Sequence, residues 1–75
     1  MKRVTSSEIL ARLRVERRGT IYLDDVAVGT FVTATTYKSR IYRDHAKIEV
    51  CARRLNTLAQ KLSTEIAKLM NTGKW

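Results

Sequence analysis

The chain has no proline, three glycines, and one each of cysteine, histidine, tryptophan and phenylalanine among its 75 residues. Each scarcity excludes something. Without proline, no segment is barred from a helix interior or a central strand by a missing N–H. A single cysteine cannot close an intrachain disulfide, and the reducing cytoplasm is the compartment expected for such a chain. Cys51 and His45 together are too few ligands for a structural zinc site. Three dispersed glycines, Gly19, Gly29 and Gly73, do not make a phosphate-cradling loop. No apolar run reaches the length of a membrane span or a signal-peptide core, so no membrane association is expected. Acidic residues are scarce as well, 7 Asp+Glu against 15 Lys+Arg. The only adjacent carboxylates, Asp24-Asp25, read as a turn, and no Ser-His-Asp arrangement can be assembled around His45. The expectation is a non-enzyme with no catalytic residue, metal or cofactor.

What the chain has in excess is positive charge. The formal net charge is +8, divided as +4 over residues 1–19, −2 over 20–34 and +6 over 35–75. A balance this far from zero points to an anionic partner, either nucleic acid or an acidic protein surface. The bland alternative is a solvated basic face that keeps the protein soluble.

The strongest pattern lies in residues 36 to 71. Ile41, Ile48, Leu55, Leu62 and Leu69 recur every seven residues, with Cys51, Leu58 and Ile66 between them. This spacing predicts one long amphipathic helix with an apolar seam over Ile48, Cys51, Leu55, Leu58, Leu62, Ile66 and Leu69. Arg40, Lys47, Arg54, Lys61 and Lys68 keep the same seven-residue interval, which gives the helix a cationic flank with Arg43 and Arg53 nearby. About 35 helical residues would span roughly 50 Å, whereas a compact chain of this size is about 30 Å across. Pairing with a second copy is therefore favoured, as a parallel homodimer in which the basic line faces the uncharged line His45, Ala52, Ala59 and Ile66. Packing of the seam on the chain's own remainder is the alternative.

Upstream, residues 6 to 18 read as a short helix. Thr5 is a good N-cap, Glu8 completes a capping box, and Val4 with Ile9 suits a hydrophobic staple. Ile9, Leu10 and Leu13 give an apolar stripe. Arg12, Arg14, Arg17 and Arg18 cover the other side, and Gly19 suits a left-handed cap. Residues 20 to 34 read as a β-hairpin around Asp24-Asp25, with Leu23 opposite Val26, Ile21 opposite Val28, and Gly29 as a candidate bulge. Thr35 or Thr36 would cap the long helix.

Two stretches bear on nucleic acid. Tyr37-Lys38-Ser39-Arg40-Ile41-Tyr42-Arg43 interleaves aromatics with cations, so that arginines can neutralise phosphates and tyrosines can stack on bases. In the alternative, Tyr37 packs on the hairpin and Tyr42 sits half-exposed. Lys2 and Arg3 form a short basic arm. Residues 4 to 22, VTSSEILARLRVERRGTIY, resemble the opening of an excisionase-like helix-turn-helix domain. That resemblance implies a capped helix, a short turn and a recognition helix carrying the Arg-Arg-Thr-Ile-Tyr run. The sequence departs from that pattern at Arg14, where such turns usually have glycine, and at Gly19, inserted inside the run.

The expected fold is thus α+β: a short N-terminal helix, a hairpin and a long C-terminal helix in one small basic domain, dimeric through the long helix. The expected function is that of a nucleic-acid-binding accessory or regulatory protein of the phage or mobile-element kind. The alternative is an inhibitor or adaptor, such as an anti-CRISPR, docking a cationic helix on an acidic host protein. If Thr5 caps the first helix, Thr5→Ala should cost about 1 kcal/mol, read as a lowered thermal midpoint.

Overall fold

A computed structural model describes residues 3–33, 36–43 and 46–75. Lys2, Thr35 and His45, which enter the basic arm, the helix cap and the uncharged helix line above, lie outside the described residues. The elements are α1 (Ser6–Arg12), β1 (Leu13–Val15), β2 (Thr20–Leu23), β3 (Val26–Thr33), β4 (Tyr37–Arg43), β5 (Ala46–Ala52) and α2 (Leu55–Asn71). The strands form one antiparallel five-stranded sheet in sequence order, β1-β2-β3-β4-β5. α2 covers one face of it, and α1 packs against α2 with Ile9 in the same core. The fold is α+β, as the sequence indicated.

The first helix begins where expected. Thr5 has extended backbone, and its Oγ1 accepts the Glu8 N–H at 3.3 Å. It ends earlier than residue 18, because Leu13 and Val15 enter the sheet opposite Leu23 and Ile21. Both are half-buried against the core while Arg14 between them points outward. Two-residue alternation wins over helical spacing here, since pairing with β2 satisfies the backbone and buries two apolar side chains at once. No recognition helix follows α1, so the excisionase-like arrangement is not formed. Gly19 caps no helix. It takes φ +101 in the β1–β2 turn, where its N–H donates to the Glu16 carbonyl at 2.9 Å.

The β2–β3 hairpin turns on Asp24 and Asp25, both at positive φ (53 and 64), the backbone of a two-residue primed turn. Leu23 stands opposite Val26 as expected. Ile21, however, faces Gly29 instead of Val28, because the register shifts by one residue between Ile21 and Tyr22. Gly29 sits in this bulge for a steric reason: a Cβ there would lie 2.2 Å from the Arg40 carbonyl oxygen. Val26, placed on the inner face by strict alternation, is 59% exposed.

The main correction concerns residues 36 to 71. Among the described residues of this stretch only Leu55–Asn71, 17 residues, is helical, and Arg54 is its N-cap in place of Thr35 or Thr36. Residues 37–43 and 46–52 form a second hairpin. Ile41 and Ile48 do share an environment, but as directly opposed residues in two strands. Opposed residues of β4 and β5 have numbers summing to 89, so the seven-residue interval between Ile41 and Ile48 arises by reflection across the pair of strands. Tyr37, Ser39 and Ile41 turn inward while Lys38, Arg40 and Tyr42 turn outward, a period-2 pattern rich in aromatic and β-branched residues. A 17-residue helix is about 25 Å long and fits within the 40 Å long axis of the molecule. The length mismatch that favoured pairing of helices disappears.

The expected seam divides accordingly. Leu58, Leu62 and Ile66 are wholly buried, Ile48 is buried with them, and Leu55 and Leu69 pack at the margin of the same core. They meet Ile9, Ile21, Leu23, Val28, Phe31 and Ile41 of their own chain. Cys51 faces away from this core and is exposed. The buried Ser63 hydroxyl donates to the Ala59 carbonyl at 2.7 Å, which keeps it satisfied. Asn71 fastens the ends of the chain: its side chain donates to the Val4 carbonyl and accepts the Val4 N–H, both at 2.8 Å.

Two substitutions test this arrangement. Leu62→Ala should lose about 2–5 kcal/mol of stability through the cavity it leaves. Gly29→Ala, although only a methyl group is added, should lose about 3 kcal/mol because the clash is with backbone. Urea unfolding of both variants measures the two losses. A near-silent Gly29→Ala would mean that the bulge relaxes freely.

Candidate nucleic-acid interface

The sheet has one covered face and one free face, and strand register decides which side chains reach the free one. β4 contributes Lys38, Arg40 and Tyr42, and β5 contributes Lys47, Glu49 and Cys51. From β3 come Thr30 and Val32, from β2 Thr20 and Tyr22, and from β1 Arg14. Arg40 stands opposite Thr30 on one side and Glu49 on the other. Lys38 stands between Val32 and Cys51, and Tyr42 opposite Lys47. A cavity of about 690 Å³ opens on this face over Thr30, Val32, Lys38, Arg40, Glu49 and Cys51. Tyr42 is 56% exposed. The Arg14 guanidinium lies over the Tyr22 ring at 4.6 Å from its centroid, a cation–π stack.

Not every cation on the molecule is equally available. Arg12, in the last turn of α1, is tied to Asp24. Its Nε donates to Oδ1 and Oδ2 at 2.9 and 3.0 Å, and its Nη2 contacts Oδ2 as well. Hydrogen bonding from Arg12 holds the Asp24 carboxyl below its ordinary 3.8 and raises the guanidinium correspondingly. Arg14 has Glu16 at 3.4 Å and Asp25 at 3.5 Å. Lys47 pairs with Glu49 at 3.0 Å, and hydrogen bonding from Lys47 lowers the Glu49 carboxyl, with Arg40 adding to the effect. Lys68 pairs with Glu65 at 3.6 Å, and Lys61 donates to the Cys51 carbonyl at 3.0 Å. Among the described residues, Lys38, Arg40, Arg17, Arg18, Arg53 and Arg54 have no ion-pair partner within 4.0 Å.

The seven-residue basic line is not one edge. Arg40 and Lys47 lie on the free sheet face, Arg54 at the start of α2, Lys61 at the sheet margin, and Lys68 on the far layer. Arg17 and Arg18 are exposed in the β1–β2 turn. Arg43 ends β4 opposite Ala46. Arg53 and Arg54 form a separate group beside Thr36, Thr57 and Lys61. The start of α2 has no side-chain cap and no acid in its first turn, so two arginines sit against the positive end of the helix dipole. Tyr37 turns inward and meets Phe31 edge-on, with centroids 5.8 Å apart and planes at 63°. Of the two tyrosines in that stretch, only Tyr42 belongs to the free face.

Tyr22, Thr30 and Val32 escaped the sequence reading, and Cys51, expected on the apolar seam, lies on the free face instead. For Cys51 the signal was alternation within 37–52, which the heptad spacing masked; for Tyr22, Thr30 and Val32 it was alternation along 20–23 and 26–33. Among the described residues no group of three or more His, Cys, Asp or Glu is placed to hold a metal ion, and no helix is long and apolar enough to cross a membrane. No protein-family model, curated protein or solved structure matches this chain.

The Arg12–Asp24 pair yields a pH prediction. A carboxyl whose folded value is depressed contributes stability that is present above its unfolded value and is lost as pH falls through the folded one. The wild type should therefore lose this contribution below about pH 4. Asp24→Asn, which suits the positive-φ turn, should be less stable at neutral pH and flatter across the acid range. Melting temperatures of both proteins between pH 7 and pH 2 check this, and parallel curves would show that the pair contributes nothing.

Proposed function

We propose that the protein binds nucleic acid through the free face of its sheet, and that single strands are its preferred form. The observation that carries this reading is the register of β4, which sets Lys38, Arg40 and Tyr42 side by side on a solvent-facing surface. Among the described residues Lys38 and Arg40 have no ion-pair partner within 4.0 Å, Glu49 opposite Arg40 being paired with Lys47. A backbone of phosphates releases counterions to such cations, and unpaired bases stack on exposed aromatic rings whatever their identity. The Arg14–Tyr22 stack adds a second flat surface on the same face. Nothing in this arrangement reads a base edge, so binding is sequence-tolerant. An accessory or regulatory role, as the composition first indicated, is compatible with that property. Arg17 and Arg18 at one end of the sheet, and Arg53 and Arg54 at another, extend the positive field beyond the face and steer approach.

Titration of a labelled single-stranded oligonucleotide, followed by fluorescence anisotropy across a salt series, tests this. For single strands the slope of log affinity against log salt is about 0.7 per phosphate neutralised. Lys38→Gln with Arg40→Gln should thus lower it by about 1.4. Tyr42→Ala should cost about 1–3 kcal/mol through lost stacking. Lys68→Gln, on the far layer, should change neither. If the wild type does not bind at low salt, the reading fails, and an acidic protein surface becomes the partner to seek for the same face.

A further inference from the structure

β5 is the long edge of the sheet, and among the described residues no strand pairs with its outer side. The direction of its backbone groups can be read from two hydrogen bonds. The Ser39 hydroxyl on β4 donates to the Val50 carbonyl at 3.0 Å, so Val50, and with it Ile48 and Ala52, turns its backbone groups towards β4. Strand alternation then turns those of Lys47, Glu49 and Cys51 outward. Consistently, Lys61 reaches the Cys51 carbonyl from α2 at 3.0 Å. Among the described residues no side chain covers the backbone groups of Lys47 and Glu49 in this way. Beside them runs a groove of about 560 Å³ between β5 and α2, with half-buried Val50 and Leu69 at its lip.

An exposed edge of this length is a template for another strand. Its side chains say which one. Lys47 and Glu49 are opposite in sign, two residues apart and on the same face, so the edge is complementary to itself. Consider an antiparallel pair of β5 strands related by a two-fold axis at Ile48. Lys47 of each copy then stands opposite Glu49 of the other. Both are positions with outward backbone groups, so each such pair also exchanges two N–H···O bonds. A slip of two residues in either direction sets Glu49 against Glu49 or Lys47 against Lys47, like charges directly opposite, which is destabilising. The charge pattern therefore selects one register.

We infer that β5 is the interface of a two-fold homodimer, with a second copy of this chain as the occupant of the groove and its edge. Pairing joins the two sheets into one continuous sheet and brings Val50 and Leu69 of each copy towards the other. It also sets the two basic faces side by side on the same surface, which doubles the length of strand they can follow.

Sedimentation equilibrium without nucleic acid tests this independently of the binding reading. The wild type should sediment at twice the 8.6 kDa of one chain. Glu49→Lys and Lys47→Glu, each checked for native circular dichroism, should shift the equilibrium to monomer, and the exchanged double variant K47E/E49K should restore the dimer. Glu49→Pro, which removes an outward N–H and leaves the β4 ladder intact, should also dissociate it. A wild type that is monomeric at every concentration overturns the inference. So does a dimer indifferent to the single charge reversals, or one not restored by the exchange.

Discussion

The packing of α2 on the inner face of the sheet is the constraint from which the rest follows. Leu58, Leu62 and Ile66 form a wholly buried stripe against Ile21, Ile41 and Ile48 of three strands, with Ile9 of α1 beside them. A core this small has no redundancy, since a chain of this length buries only a modest share of its surface. α1 packs on α2 and brings Ile9 to this core, and the Asn71–Val4 hydrogen bonds tie the segment before α1 to the end of α2. Once the helices are committed there, the opposite face stays open to solvent, and its side chains are free of the demands of the core.

The free face owes its character to strand alternation in β4. The same seven residues send Tyr37, Ser39 and Ile41 to the core and Lys38, Arg40 and Tyr42 to solvent. Gly29 is part of that machinery, because the close approach of β3 to Arg40 and Ile41 leaves no room for a side chain. The bulge beside it brings Val28 into the core and sets Tyr22 opposite Ala27 on the outer face. A steric detail on β3 thus fixes the position of an aromatic ring on β2.

Charge distribution follows a comparable logic. Acids are few, and they are placed at turns and margins: Asp24 on Arg12, Asp25 and Glu16 on Arg14, Glu65 on Lys68. These exposed pairs contribute little to stability individually. Their effect is to neutralise cations at the periphery, while Lys38 and Arg40 in the centre of the sheet have no ion pair within 4.0 Å among the described residues. Glu49 is the exception on that face, and it alternates with Lys47 along an edge that no other strand pairs among the described residues.

Several features were legible in the residues alone. The Thr5 cap, the Asp24-Asp25 turn, the bulge at Gly29, the α+β class and the amphipathic character of Leu55–Asn71 all rest on local chemistry, in which a few adjacent residues determine the outcome. The excess of basic residues was visible for the same reason, since charge needs no fold to be counted. What the sequence left undecided was the conformation of residues 36 to 52. Seven-residue spacing is shared by a helix that returns to the same face after two turns and by a hairpin that reflects residues about its turn. Both put Ile41 and Ile48 in one environment. Tertiary packing decided between them, because the strands complete a sheet that α2 can cover, whereas a helix twice as long would have had nothing of its own chain to lie against. That decision also separated Tyr37 from Tyr42, moved Cys51 out of the core and split the basic line among three surfaces. Side-chain direction in a strand depends on register, and register is set by contacts between residues far apart in sequence.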